Sequence, residues 1–273
     1  SWPNKMTDPL VKVDNLCVDF PLGKTLFGQP PMLHAVKNVS LEIEKGSFFG
    51  LVGESGSGKT TLGRTIIGAN HISSGQILFS DEGQTFDVGE MDKPNERKFR
   101  RVAQLIFQDP YAALSPRMTV RDIIAEPLEV MKLTSSREET DECVREIATR
   151  CRLNLEHLRR FPHAFSGGQR QRISIARALV TRPKFIVADE CVAALDVSIQ
   201  ADILNLLKQL QCDLDLTFLF ISHDLSVVAH TCDQIAVMYL GEIVERGPTR
   251  EIFRSPKHEY TKKLLAAIPS LHA

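Results

Sequence analysis

The 273-residue sequence lacks several features that would mark a protein class at once. An excess of one charge is missing: 33 Lys and Arg stand against 34 Asp and Glu, a net charge of −1. That balance leaves no electrostatic footprint for nucleic acid or for an anionic membrane surface. Arg97-Lys98-Phe99-Arg100-Arg101 is a local basic stretch and reads as a solvated face. Long apolar runs are missing too, since none approaches the ~18 residues that cross a bilayer. No apolar leader segment opens the chain, so it is expected to be soluble by itself, with any membrane spans supplied by a partner. The six cysteines, at 17, 143, 151, 191, 212 and 232, include no C-x-x-C pair. Zinc and redox motifs are therefore unsupported, and scattered cysteines fit a reducing cytosol. There is no internal repeat and no low-complexity tract.

What is present is an ordinary globular composition, 43% hydrophobic and 25% charged. The length suffices for one large domain or two small ones with a real core.

The chain is organised around Gly53-Glu54-Ser55-Gly56-Ser57-Gly58-Lys59-Thr60, followed by Thr61. This fits G-x-x-x-x-G-K-[ST], the phosphate-binding loop. The apolar run Phe48-Phe49-Gly50-Leu51-Val52 leads in as a buried strand, and a helix from Thr60 follows, stopping at Gly68. Glycines 53, 56 and 58 let backbone N–H groups turn inward. Those groups form an anion nest at a helix N-terminus, where the helix dipole also favours negative charge. Lys59 is placed to reach the β- and γ-phosphates, and the Thr60 hydroxyl to bind Mg²⁺.

Around this loop the pattern alternates strands with helices. Leu10 to Phe20 and Ala35 to Ile43 read as strands that pair antiparallel, joined by a loop from Pro21 to Met32. Ser1 to Asp8 reads as a frayed start, with Met6 a candidate initiator. Gln76 to Phe79 is another strand, residues 80–98 read as polar and irregular, and Val102 to Phe107 is a buried strand. Helices are expected at Val120 to Met131, Ser136 to Arg150 and Gln169 to Val180, the second capped by Ser135 with Glu138. Strands return at Lys184 to Asp189 and Leu216 to Ile221, with a helix from Ser198 to about Cys212 between them. Asp233 to Tyr239 and Glu242 to Glu245 read as a hairpin, and short helices follow Pro248. Such alternation implies an α/β core with a largely parallel sheet.

A nucleotide with Mg²⁺ needs further carboxylates. Phe185-Ile186-Val187-Ala188-Asp189-Glu190 supplies two acids at a strand's C-terminal end, the edge where open α/β sheets bind ligands. Asp189 is placed to hold Mg²⁺ and Glu190 to polarise a water for attack on the γ-phosphate. Ser166-Gly167-Gly168-Gln169 opens a helix and offers a second anion site, although taken alone it reads better as a plain helix cap.

In combination and order, these motifs resemble the nucleotide-binding subunits of ATP-binding cassette transporters. The Walker A motif is Gly53 to Thr60, and the Q-loop glutamine is Gln108 in Ile106-Phe107-Gln108-Asp109-Pro110. The signature is Phe165-Ser166-Gly167-Gly168-Gln169, and Walker B with its glutamate is Phe185 to Glu190. The D-loop is Ala194-Leu195-Asp196, and the switch histidine is His223 in Ile221-Ser222-His223-Asp224. The resemblance covers nearly the whole chain. It departs at Phe165, where Leu is usual, at Cys191, where Pro is usual, and at Ala193, where many relatives carry Ser.

The resemblance implies a P-loop NTPase (RecA-like) fold with an antiparallel β subdomain and an inserted helical subdomain. Residues 1–107 and 180–247 would form the nucleotide-binding core with the β subdomain, 108–179 the helical subdomain, and 248–273 a helical tail. It implies ATP and Mg²⁺ as ligands, Mg²⁺ being held through Thr60, Gln108 and Asp189. Gln108 would also contact the attacking water, His223 the γ-phosphate, and Phe20 the adenine. Ser166 to Gln169 would close on the ATP of a second ATPase subunit, in a homodimer or a heterodimer. Transmembrane permease subunits and, indirectly, a substrate-binding protein complete the implied assembly, on the cytoplasmic face of the cell membrane.

Three stretches narrow the resemblance to oligopeptide and dipeptide importers: Gly23 to Gly28, Pro110 to Val120 and Ser255 to Pro269, the last with Glu259 where Pro is usual. No cysteine follows Cys232, so the iron–sulfur cluster of some relatives is not expected. Import of nickel, glutathione or another small solute is the alternative within this class. Outside it stand a soluble cassette ATPase and a P-loop kinase, which makes a phosphorylated acceptor instead of free phosphate.

Overall fold

A computed structural model of the chain describes residues 9–23 and 30–268. The expected frayed start (1–8), the loop after Gly23 and the tail beyond Ile268 lie outside the described residues. In chain order the strands and helices are β1 (Val11–Pro21), β2 (Met32–Ile43), β3 (Phe48–Val52), α1 (Lys59–Ile66), β4 (Ser74–Asp81), β5 (Gln84–Asp87), α2 (Lys93–Val102) and β6 (Ala103–Ile106). There follow α3 (Pro110–Ala113), α4 (Val120–Val130), α5 (Arg137–Arg150), α6 (Gly167–Leu179), β7 (Phe185–Asp189), α7 (Val197–Leu214) and β8 (Thr217–Ser222). The chain ends with α8 (Leu225–Thr231), β9 (Gln234–Tyr239), β10 (Glu242–Pro248), α9 (Thr249–Arg254) and α10 (Glu259–Ala266). These elements form two compact units, one made of the chain up to Asn95 and from Leu219 onward, the other of Glu96–Phe218.

The first unit contains an antiparallel sheet in the order β2-β1-β4-β5. Val11, Val13, Leu16 and Val18 turn one face of β1 inward, the alternation that a half-buried strand requires. The same unit pairs β3 in parallel with β9, and β9 antiparallel with β10, as the hairpin reading of the sequence anticipated. Phe48 on β3 and Phe220 on β8 approach with ring centroids 5.6 Å apart. Every residue of β3 is buried, which explains its unbroken apolar run.

In the second unit β6 and β7 pair in parallel. Helix α4 packs on α5 and α6, burying Ile123, Ile124 and Leu128 along with Val144, Ile147 and Ile173. The Arg121 guanidinium ties α4 to α5 through Asp141 at 2.7 Å, and the Arg177–Glu126 pair at 2.7 Å ties α6 to α4. The architecture is α/β with both parallel and antiparallel strand pairs.

Two local expectations need correction. Residues 80–98 are not irregular: they contain β5 and most of α2. Glu82 (φ 50°) and Gly83 (φ 81°) form a two-residue turn between β4 and β5, with positive φ at both central positions as a type I′ hairpin demands. Helix α2 buries only Phe99 among its ten residues, so no apolar stripe announced it. Its start is marked instead by Asp92, whose carboxylate accepts from the Asn95 N–H at 2.9 Å. The cap of α5 is displaced by one residue. Ser136 accepts from the Glu139 N–H at 3.1 Å, while the Glu139 carboxylate accepts from the Ser135 N–H at 2.6 Å. Ser135 and Glu138 have the correct spacing, but the neighbouring pair has the helical geometry.

The C-terminal helices are anchored by charge. The Glu245 carboxylate on β10 accepts from the backbone N–H groups of Lys257 at 2.8 Å and His258 at 3.0 Å. Burial opposes its ionisation, but these N–H donors outweigh that cost and hold its carboxyl below the usual range. A depressed folded-state pKa contributes stability that is present above the unfolded value and lost as pH falls through the folded one. Glu245→Gln is therefore expected to lower the thermal midpoint at neutral pH, with the difference from the native chain shrinking below about pH 4. Thermal melts of both proteins across that range check this.

Candidate functional site

The loop between β3 and α1 is shaped by close backbone approaches within the first unit. At Gly53 (φ 153°) a Cβ would lie 2.2 Å from the Met238 carbonyl oxygen of β9. At Gly58 (φ 104°) it would lie 2.4 Å from the Ala35 carbonyl oxygen of β2. Both positions thus need glycine for conformation and for space. The turn after β9 adds a third brace, with the Gly241 N–H donating to the Ser57 carbonyl at 2.9 Å.

Lys59 opens α1 and is only 4% exposed. Its ammonium donates to the Gly53 and Glu54 carbonyls, both at 2.8 Å, and meets Ser57 Oγ at 3.4 Å. A buried cation is thereby held against the loop by carbonyl dipoles, as burial of charge requires. Glu54, Ser55 and Gly56 are exposed, while Thr60 and Thr61 are half-buried in the first turn of α1. The Glu54 N–H donates to the Tyr260 hydroxyl oxygen of α10 at 2.9 Å, a contact between positions 206 residues apart that no sequence motif signalled. His223 follows β8 and is exposed, and Asp224 beside it caps α8 through the Ser226 N–H at 2.8 Å. Phe20 lies near the end of β1, 36% exposed, opposite Leu33 of β2.

The second unit brings two of the other candidates together. All of β7 is buried, and Asp189 at its end is 3% exposed. Glu190 follows in the left-handed region at φ 46°, an uncommon conformation for a residue other than glycine and one that clusters at functional positions. Gln108, just beyond β6, donates from Nε2 to Glu190 Oε2 at 3.1 Å. The next turn is fixed by the Ala193 N–H donating to the Glu190 carbonyl at 3.0 Å and by Gln200 Nε2 donating to the Val192 carbonyl at 2.9 Å. Asp196 is exposed at the N-cap of α7.

Ser166 and Gln169 form a reciprocal capping box at the start of α6: the Gln169 N–H donates to Ser166 Oγ at 3.3 Å, and the Ser166 N–H donates to Gln169 Oε1 at 3.0 Å. A Cβ at Gly168 would meet Ile199 Cγ2 at 2.6 Å, so this glycine lets α6 approach α7. Gly167 faces only ordinary contact, with Leu195 at 3.5 Å. Phe165 is buried, its ring centroid 6.1 Å from that of His157. Among the described residues no cluster of three His, Cys, Asp or Glu side chains could hold a metal alone, and no helix is long and apolar enough to cross a membrane. Within the first unit Thr60 offers a hydroxyl, and within the second Gln108 offers an amide and Asp189 a buried carboxylate.

The profile of the ABC transporter family matches residues 36–193, and that of the oligopeptide/dipeptide transporter C-terminal region matches 244–273. The chain is 50% identical over 260 residues to the oligopeptide transport ATP-binding protein OppF of Streptococcus mutans, covering 95% of this chain and 82% of that protein. It is 49% identical over 269 residues to the dipeptide transport ATP-binding protein DppF of Lactococcus lactis, covering 97% and 83%. Among solved structures, a dimeric ATP-binding cassette in a post-hydrolysis state with ADP and Pi superposes with a TM-score of 0.76 at 28% identity, covering 88% of this chain and 99% of that one. The cassette cbiO1 of Clostridium perfringens, part of an ABC transporter complex, also reaches 0.76, at 26% identity and 97% and 98% coverage. The chain belongs to the ATP-binding cassette transporter family, and its fold is that of the family's ATPase cassettes.

Cys191, at the position where proline is usual, is buried beside Glu190, and burial pushes its thiol up to about 12. Burial does the same for Cys151, also to about 12, whereas Cys212 on α7 is exposed. Brief maleimide treatment of the folded protein at neutral pH is expected to label Cys212 and leave Cys151 and Cys191 unmodified until denaturant is added. Peptide mass mapping reads the outcome.

Proposed function

We propose that this chain is the ATP-hydrolysing subunit of a peptide importer, seated on the cytoplasmic face of the membrane. The observation that carries the reading is the Gln108–Glu190 contact at the end of a buried strand, in a chain that also holds a complete phosphate loop. The peptide cargo is supported by the likeness to the oligopeptide and dipeptide transport proteins, which extends through the C-terminal region.

In this reading the loop N–H groups and Lys59 bind the β- and γ-phosphates, and Phe20 stacks on the adenine. Thr60, Gln108 and Asp189 would hold Mg²⁺, which would supply positive charge against the negative charge that develops during transfer. Glu190 polarises the attacking water, with Gln108 orienting the pair, and His223 contacts the γ-phosphate. Phosphoryl transfer also needs donors on the far side of the γ-phosphate. Ser166, Gly167, Gly168 and Gln169 of a second ATPase subunit supply them in a head-to-tail dimer, with Asp196 at the junction. Closure and reopening of that dimer drive transmembrane permease subunits, which receive peptide from a substrate-binding protein.

The test is phosphate release from MgATP by native protein and Glu190→Gln over a range of protein concentrations. Activity should rise more than proportionally with concentration and fall by about a hundredfold or more in the variant. Activity strictly proportional to concentration, or undiminished in Glu190→Gln, would overturn the composite site. Transfer of phosphate to an acceptor without release would point to a kinase.

A further inference from the structure

The C-terminal segment lies outside the 36–193 stretch matched to the transporter family, yet it touches the phosphate loop. Tyr260 on α10 is 8% exposed, and its hydroxyl accepts from the Glu54 N–H at 2.9 Å. The Glu54 carbonyl accepts in turn from Lys59 Nζ at 2.8 Å. Glu54 is therefore held by its N–H on one side and joined through its carbonyl to the cation that the phosphates require.

A second connection reinforces the first. The Tyr260 ring lies against the Tyr239 ring, with centroids 4.1 Å apart and planes inclined by 32°. Tyr239 ends β9, and two residues later the Gly241 N–H donates to the Ser57 carbonyl. The same helix thus reaches the loop directly at Glu54 and, through Tyr239 and its turn, at Ser57. Its own position is fixed from below: His258 Nδ1 accepts from the Tyr260 N–H at 3.1 Å, and Glu245 holds the two N–H groups that precede α10. Tyrosine suits this task because a rigid ring with few torsions places an oxygen far from its backbone at little entropic cost.

We propose that Tyr260 is a positioning residue for nucleotide binding: its hydroxyl fixes the Glu54 peptide, so that the loop backbone and Lys59 are set for a triphosphate before it arrives. This gives the C-terminal region a direct part in the ATPase site of the same chain. The inference rests on the nucleotide-binding reading above, and its physical basis is preorganisation, since a loop already held in its binding conformation loses less freedom when the ligand docks.

Tyr260→Phe keeps the ring and removes the acceptor, so the full chain carrying this change isolates the bond. Two readouts separate the possibilities. In nucleotide-free protein, hydrogen–deuterium exchange at the Glu54 amide should become about tenfold faster, because its acceptor is gone. In equilibrium titrations the Kd for MgATP should rise by about three- to tenfold, with KM rising in parallel while kcat falls less and the thermal midpoint stays near the native value. Exchange and affinity both equal to those of the native chain would overturn the proposal. So would an affinity loss that merely follows a lowered midpoint, which would make Tyr260 a packing residue. If the native chain binds no MgATP, the functional reading fails and the proposal with it, although the exchange readout still reports the bond itself.

Discussion

The loop that carries the chemistry depends on the absence of two side chains. At Gly53 and Gly58 the backbone lies so close to the carbonyl oxygens of Met238 and Ala35 that a methyl group has no room, and both glycines sit at positive φ. This close approach lets β9 and β2 support the loop from behind. Lys59 completes the arrangement by bonding to the carbonyls of Gly53 and Glu54, so the cation proposed to bind phosphate also braces the loop's curvature. The first unit's other features follow from that constraint. Strand β3, which leads into the loop, is buried throughout, and the β9–β10 turn meets the loop where the Gly241 N–H donates to the Ser57 carbonyl.

The second unit solves a complementary problem. A carboxylate at the end of a buried strand must remain aimed, and here it is aimed twice. The left-handed backbone at Glu190 sets its direction, and the Gln108 amide holds its oxygen. The substitutions beside it leave this intact. Cys191 is apolar in practice, with a thiol that stays neutral at physiological pH, and it fills the buried position where proline is usual. Ala193 keeps the N–H that bonds to the Glu190 carbonyl. Phe165 is accommodated because its larger ring finds the His157 ring as a neighbour.

Much of this was legible in the sequence, for identifiable reasons. Buried strands such as 48–52 and 185–189 carry continuous apolar runs, and the helices at 120–131 and 169–180 carry apolar residues at helical spacing. The glycine loop is legible because its chemistry permits few residue types. Helix α2 was missed because one buried phenylalanine makes no stripe, and β5 because its turn is Glu82-Gly83 and not the commoner Asn-Gly or Asp-Gly. The cap at Ser136 was misplaced by one residue because Ser135 and Ser136 are chemically equivalent until backbone geometry separates them. The Tyr260–Glu54 bond has no local signature at all: it joins residues 206 positions apart, and only the fold brings them together.

The central claim is that the loop from Gly53 to Thr60 binds a nucleoside triphosphate through its backbone and Lys59. Calorimetric titration of MgATP into the native chain and into Lys59→Ala, both shown folded by circular dichroism, tests it most directly. Saturable binding by the native protein that weakens by at least about tenfold in the variant is the outcome this account requires. Equal affinity in the two proteins, or no binding by the native chain, would contradict it.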